Sequence, residues 1–416
     1  MLRYGLIGAG NVGRVHLRWA ARHPNVQVCA VADPELARGK ALADNCGARL
    51  YADHRQMLAD ETLDFVSIAL PHDLLASIGT ECLLAGCHLL VEKPLARHIG
   101  EAGQLLEKAR NLNLQVGTFF QYRNFATPKL IQSIIESGQI GTIRQIIWTW
   151  HELRPQSYFA NVPWRKSWAG AGGGLLMNQL SHDIDLLRCF AGEVESVQAS
   201  LATQAHDIPL EDSVSATIRF KPGAIATISA SINQSRALTY RAIMGTKGLI
   251  VLPNAMNLAD NPDDIVKLGI YADAVDTAIC TYSDDHQQSE ITWSVLRSKR
   301  PEMRRKIPLW LKRPLRRMAD VLYPQRNDWK PGRKPMTGHG RILWDFVDAI
   351  QAGQPLADSI SSENAYRTLE LVNAMIVSGF EKREVALPLD AKAYAAHFDR
   401  LVRGEIKLNG SSHATD

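Results

Sequence analysis

Cysteine is sparse in this chain: six residues in 416 (Cys29, Cys46, Cys82, Cys87, Cys189, Cys280), with no C-x-x-C pair and no metal-site spacing. That excludes a disulfide-built secreted scaffold, gives no reason to expect a metal, and fits reduced thiols in a cytoplasmic protein. Long apolar runs are missing too. No stretch approaches the roughly eighteen apolar residues of a membrane span. Met1-Leu2-Arg3 runs into Leu6-Ile7-Gly8 too soon for a signal peptide's apolar region. Internal repeats and low-complexity tracts are absent. Net charge is nearly so, since 47 Lys+Arg against 43 Asp+Glu leave +4. That balance hides one exception. Arg297 to Arg317 holds ten basic residues and one acid, Glu302, a local +9 that leaves the rest of the chain at −5.

What is present is an ordinary globular composition, 46% apolar and 22% charged, at a length that suits two or three domains. In the first 120 residues short apolar runs alternate with helical stretches. Runs ending at Ile7, Val31 and Leu70, then Leu89–Val91 and Leu114–Val116, read as strands. Val12–Arg22, Pro34–Asn45, His54–Ala59, Leu74–Ala85 and Gly100–Asn111 read as helices. The alternation predicts a doubly wound parallel sheet over residues 1–121. After Phe125 come a helix (Pro128–Ser137), a strand (Thr142–His151), and a Gly-rich turn (Gly170 to Gly174) opening a helix through Cys189. Beyond Gly192 the alternation predicts antiparallel strands at Val197–Gln204, Ser213–Phe220, Ala224–Ile232 and Arg241–Met244. Residues 122–390 are therefore read as an α+β domain with a large open, mostly antiparallel sheet. The stretch 254–336 looks inserted, and 391–416 looks like an extension.

Gly8-Ala9-Gly10-Asn11-Val12-Gly13 follows a predicted strand and opens a predicted helix. Its glycines suit a tight turn, close approach of a pyrophosphate, and helix-on-strand packing, with the phosphates at the helix N-terminus. Asp33, twenty residues after Gly13, ends the second strand. It suits the ribose hydroxyls of NAD and would repel the extra phosphate of NADP; Arg38 could instead turn toward such a phosphate. NAD is therefore expected, with NADP as second choice.

Two later segments carry more information. Ala85-Gly86-Cys87-His88-Leu89-Leu90-Val91-Glu92-Lys93-Pro94 puts Lys93 at the carboxyl end of a parallel strand. Trp164-Arg165 and Gly172-Gly173-Gly174 precede Asn178-Gln179-Leu180-Ser181-His182-Asp183-Ile184-Asp185. With the opening glycine motif, these segments resemble the Gfo/Idh/MocA family of nicotinamide-dependent oxidoreductases. The resemblance covers residues 1–250 and 338–390. It implies a hydride transfer between NAD(P) and a secondary hydroxyl or ketone of a sugar, inositol or nucleotide sugar. It also implies a homo-oligomer, a dimer or tetramer. Lys93 would contact the substrate hydroxyl and the nicotinamide, on a cis Lys93–Pro94 bond, and His182 would be the general base. Gly8, Gly10, Asn11, Val12, Gly13, Asp33, Arg38, Leu70, Pro71, His72, Glu92, Lys93 and Gln121 would meet the cofactor. Tyr122, Arg123, Trp164, Arg165, Asn178 and Asp185 would line the substrate site with Lys93 and His182. His16 would pack near the phosphate loop.

The chemistry also stands on residue type. Oxidising an alcohol needs a base that titrates near neutrality, and a nearby ammonium stabilises the developing alkoxide. Asn178 and His182, four apart, are expected on one helix face. Three departures from the family pattern leave the substrate class open: Asn178 where many relatives carry Asp, Leu180 for a frequent glycine, and Leu70-Pro71-His72-Asp73-Leu74-Leu75-Ala76 for T-P-N-x-x-H. An enzyme that breaks glycosides through transient oxidation, and a non-catalytic NAD(P) sensor, are the alternatives. Retention of both Lys93 and His182 favours an enzyme. The basic segment reads as a contact for an anionic membrane, a flap for a phosphate-bearing substrate, or a solvated or subunit-contacting extension. Nothing accompanying it suggests nucleic acid.

Overall fold

The computed structural model describes residues 1–235, 239–253, 265–271, 291–297, 334, 335 and 338–408. Six strands, β1 (Leu2–Ile7), β2 (Val26–Ala32), β3 (Arg49–Tyr51), β4 (Phe65–Ile68), β5 (His88–Val91) and β6 (Val116–Thr118), make a parallel sheet in the order β3-β2-β1-β4-β5-β6. Helices α1 (Asn11–Ala20), α2 (Leu36–Cys46), α3 (His54–Asp60), α4 (His72–Leu84) and α5 (Ile99–Asn111) connect them. Helices on both faces are why these strands are apolar almost throughout; all four residues of β4 are buried. Chain order reverses between β1 and β4, and at such a switch point a ligand crevice opens beyond the strands' carboxyl ends. The sequence shows no sign of β3, whose three residues are too few to establish a period.

The remaining strands form a second sheet: β7 (Ile143–His151), β8 (Val194–Ala202), β9 (Ser213–Phe220), β10 (Ile225–Ser231), β11 (Tyr240–Gly245), β12 (Gly248–Pro253), β13 (Ile265–Tyr271), β14 (Ile291–Arg297) and β15 (Val385–Ala386). Their order is β14-β13-β12-β11-β7-β10-β9-β8-β15, antiparallel except where β10 runs parallel to β7. In β9, Val214, Ala216, Ile218 and Phe220 are buried while Ser215, Thr217 and Arg219 are exposed. One face thus joins the core, and the other stays open and polar. The helices of this half are α6 (Ala126–Glu136), α7 (Ser157–Ala160), α8 (Trp168–Ala171), α9 (Leu175–Asn178), α10 (Ser181–Ala191), α11 (Gly338–Gln351), α12 (Ser362–Glu381) and α13 (Ala391–Val402). Of these, α12 lies along β8 and against α10.

Several expectations need correction. The single helix predicted to open at the Gly-rich turn and run through Cys189 is two, α9 and α10, because the chain breaks at Gln179-Leu180; α8 ends just before, where Gly172 takes a left-handed φ of 75°. The supposed insert at 254–336 contributes β13 and β14 to the sheet. Residues 122–390 are not all in one layer. α11 packs on α1, with Trp344 Nε1 donating to Trp19 O (3.3 Å) and Ile342, Phe346 and Val347 closing a core with Leu6, Val31 and Phe65. The C-terminal stretch is likewise built in, since α13 packs on α5 and α8. Apart from the backbone of Arg297, the basic segment 297–317 lies outside the described residues, as does Cys280. Among the described residues no helix is long and apolar enough to cross a membrane.

Candidate active site

The phosphate loop has the geometry its glycines foretell. Gly8 adopts φ 93°, and a Cβ there would stand 2.4 Å from Ala69 O. A Cβ on Gly13 would stand 1.9 Å from Gly8 O, so helix and turn touch backbone to backbone. Gly10 differs: nothing lies within 4 Å of its missing Cβ, and it faces open space. It caps α1 with no side-chain hydrogen bond, and Asn11 and Val12 beyond it are exposed. The first N–H groups of α1 are therefore available to an anion. Asp33, 3% exposed, accepts from Ala9 N (2.8 Å) and Glu35 N (2.9 Å), and each carboxylate oxygen keeps a second lone pair. Arg38 is held by Glu35 and lies 3.9 Å from Asp33, so two acids already engage the guanidinium that NADP would need. These features fit NAD.

Lys93 follows β5 on a cis bond to Pro94. Its Nζ donates to Asn178 O (2.7 Å), and its backbone N–H donates to Glu92 Oε2 (3.2 Å). Burial brings its pKa down to about 8; the Glu92 carboxylate opposes that fall and the Arg165 guanidinium adds to it. His182, in the first turn of α10, is 5% exposed. Its ring stacks on Tyr122 (centroids 4.2 Å apart) and meets the edge of Phe120 (5.6 Å). Burial and the Lys93 charge hold it well below the usual histidine range, so it is neutral at pH 7. Its Nδ1 is buried without a hydrogen-bond partner, as is Gln121 Oε1. Buried polar atoms without a partner are exceptions in a folded protein.

Other expected residues sit differently. Asn178 ends α9 and His182 lies in the first turn of α10, so the shared helix face does not exist. The Asn178 side chain folds back onto Gly173 O (3.2 Å) and Gly174 O (3.1 Å), and it is its carbonyl that meets Lys93. Arg123 and Asp185 bind each other through two hydrogen bonds of 2.6 and 2.5 Å, and Asp185 is fully buried. With Thr368 donating to Asp185 (2.8 Å), this is a strut between the turn at Gln121–Asn124, α10 and α12, not a lining of the cleft. His72, first residue of α4, lies 2.8 Å from Ala171 O and packs on Trp164 (4.6 Å). Burial lowers its pKa to about 3, so it joins the two halves as a neutral ring. Leu70 and Pro71 are half-buried in the preceding turn.

Two features gave no local signal. Glu92 Oε1 is shared by His16 Nε2 (2.9 Å) and His339 Nε2 (3.2 Å). His339 comes from α11, 247 residues downstream, which no spacing rule connects to Glu92. The ligand atoms of His16, Glu92 and His339 all lie within 4.8 Å of one another, a metal-site spacing found nowhere else among the described residues. As they stand, both imidazoles hydrogen-bond to the Glu92 carboxylate. The second feature is Tyr158 of α7, whose hydroxyl lies 2.9 Å from Gln179 Nε2 and whose ring carries the guanidinium of Arg165 at 4.4 Å.

Comparison with known proteins agrees with this geometry. Residues 2–120 match the oxidoreductase family with an NAD-binding Rossmann fold, and residues 129–251 match the GFO/IDH/MocA C-terminal domain. Levoglucosan dehydrogenase of Pseudarthrobacter phenanthrenivorans is 31% identical over 288 residues, 60% of this chain and 73% of that protein. The 1,5-anhydro-D-fructose reductase of Ensifer adhaerens is 28% identical over 260 residues, 62% and 77% of the two chains. Among solved structures, the WlbA dehydrogenase of Chromobacterium violaceum, in complex with NADH and UDP-GlcNAcA, superposes with a TM-score of 0.70. Its identity is 25%, over 94% of this chain and 96% of that one.

Proposed function

The chain belongs to the Gfo/Idh/MocA family of NAD-binding oxidoreductases, and from that premise we propose that it moves a hydride between NAD and a secondary hydroxyl or ketone of a sugar, inositol or nucleotide sugar, with Lys93 and His182 as its catalytic residues. The observation that carries the assignment of roles is a buried ammonium and a neutral imidazole close enough for one charge to depress the other's pKa. The chemistry NAD supplies when bound is acceptance of hydride from the carbon bearing the hydroxyl. Lys93 Nζ donates to that hydroxyl's oxygen and favours its ionisation. His182 takes the hydroxyl proton at Nε2, its Nδ1 being enclosed by protein. Stacking on Tyr122 fixes the imidazole plane, and the Asn178 carbonyl holds the ammonium in place. Gln121, next to Tyr122, contributes its unpartnered Oε1 to the cofactor side.

The sugar assignment is supported by the relatives named above, whose printed activities all concern carbohydrates. The test is reduced-nicotinamide absorbance across a panel of sugars, inositols and nucleotide sugars, with wild type, Lys93→Ala and His182→Ala. Each variant should lose about 10²–10³-fold in kcat/KM on the best substrate. Full turnover in both would overturn the roles assigned; glycoside cleavage without net NADH would overturn the dehydrogenase.

We also propose that copies pair through the open face of the second sheet. The exposed Trp293 and Val295 of β14 and the polar face of β9 support this reading, and sedimentation velocity tests it. An anionic surface or phosphate as partner of 297–317 is proposed on charge alone. Co-sedimentation with anionic against zwitterionic vesicles, and competition by inorganic phosphate, read it out.

A further inference from the structure

Charge is unevenly settled around the pocket. Four acids nearby are engaged: Glu92 by two imidazoles, Asp185 by Arg123, Asp183 by Arg241 (2.6 Å) and Trp148 Nε1 (2.9 Å), Glu152 by Arg154 (2.6 Å). Two cations beside them are not paired with an acid. Arg165 forms no ion pair with any described carboxylate, and Lys93 Nζ meets only a carbonyl.

Arg165 is held in place all the same. Its guanidinium lies over Tyr158 (4.4 Å) and Trp164 (5.3 Å), and its Nε is buried without a partner. On the same tyrosine ring lies a second guanidinium, Arg154 (5.2 Å), whose Nε is also buried and unpartnered. Two guanidiniums therefore share one aromatic platform with a single carboxylate, Glu152, between them. The platform lies near Lys93, whose pKa the Arg165 charge helps to lower. The Tyr158 hydroxyl meets Gln179, the neighbour of Asn178, and Trp164 packs on His72 at the domain junction. Like charges held together with unsatisfied donors cost free energy unless a ligand supplies the counter-charge. A stacked guanidinium keeps its planar fork free for an oxyanion.

We propose that the sugar ring oxidised here carries an anionic group, a carboxylate or a phosphate, and that Arg165 receives it from the Tyr158–Trp164 platform. The proposal rests on the dehydrogenase reading and narrows its substrate class. The charge sits on the ring itself, beside the reacting carbon, and a neutral polyol would leave the fork of Arg165 unfilled. Arg154, tied to Glu152, sets the field and positions Tyr158.

The experiment is equilibrium titration of the full chain loaded with NAD+. Matched sets are compared: gluco-, galacto- and mannuronate, the corresponding hexose phosphates, and the neutral parent hexoses. At least one acid should bind about 10- to 100-fold more tightly than its neutral parent, and the preference should shrink as salt rises. Uronates against phosphates show which anion is meant. In Arg165→Gln the preference should collapse while NADH affinity stays within about twofold, and Arg165→Lys should restore part of it. If no acid outbinds its neutral parent, or the preference survives Arg165→Gln, the proposal is wrong. NADH formation is followed in parallel. Arg165-dependent binding of an acid that is never oxidised would remove the dehydrogenase reading and leave this one. Turnover of neutral and acidic sugars alike would do the reverse.

Discussion

Removing the negative charge of Glu92 should move the alkaline limit of alcohol oxidation toward neutrality. Lys93 has a pKa of about 8, set by burial downward, Glu92 upward and Arg165 downward. At pH 7 roughly ten ammonium forms exist for each neutral amine, and at pH 9 the ratio is reversed. If the ammonium must donate to the substrate oxygen, kcat/KM for oxidation falls about tenfold per pH unit above pH 8. Glu92→Gln keeps an oxygen for His16 and His339 but removes the one nearby charge that favours protonated Lys93. The limb should then fall below pH 8, with each unit of movement worth about 1.4 kcal/mol. Lys93→Arg, ionised throughout, should show no limb below about pH 10. The assay is initial-rate NADH formation from pH 5.5 to 10.5 at subsaturating substrate. A limb that moves upward in Glu92→Gln would refute the pairing of these charges. No limb at all in wild type would refute the ammonium's part in the chemistry.

Gly10→Ala and Gly13→Ala should separate cofactor binding from folding. The first meets no protein atom within 4 Å, so it should leave the melting temperature unchanged and weaken NADH binding at least about tenfold, whereas the second collides with Gly8 O and should lower both; equal melting temperatures for the two would contradict this. Asp185→Asn leaves the buried Arg123 unpaired and should cost about 3–5 kcal/mol in urea unfolding. Its substrate KM should change little, and a selective rise in KM at unchanged stability would return these residues to the cleft. Glu211 accepts from Gly174 N and Leu176 N, and burial pushes its carboxyl from 4.5 up to about 7. The fold prefers its neutral form, so this contribution is whole below about pH 4.5 and lost as pH rises through 7. Glu211→Gln should abolish that decline and be more stable at pH 8 by about 1–3 kcal/mol. A wild type equally stable at pH 5 and 8 would rule the effect out.

Much of this was readable in the chain because it depends on neighbours in sequence. The turn of Gly8 to Gly13 with Asp33 is a local steric pattern, and the alternation of Ser213–Phe220 is a local burial pattern. Lys93 before Pro94 could be placed at a strand's end from three apolar residues, Leu89 to Val91. Where the fold departs from the local pattern, the cause is a distant partner or a break in the backbone. The spacing of Asn178 and His182 allows one helix face, but Gln179 and Leu180 break the helix. Arg123 and Asp185, 62 residues apart, looked like polar residues near a site, and only packing shows that they satisfy each other.

The sequence by itself determined the parallel sheet, the phosphate loop and the family, and it singled out Lys93 and His182 as the candidate catalytic pair. The tertiary structure decided what each charge is for. It brings His339 onto Glu92 from across the chain, encloses Asp185 with its arginine, and leaves Arg165 stacked on Tyr158 without a counter-ion. Pattern lives along the backbone and survives in one dimension. Whether a buried charge is answered depends on residues tens to hundreds of positions away, and only the fold chooses them.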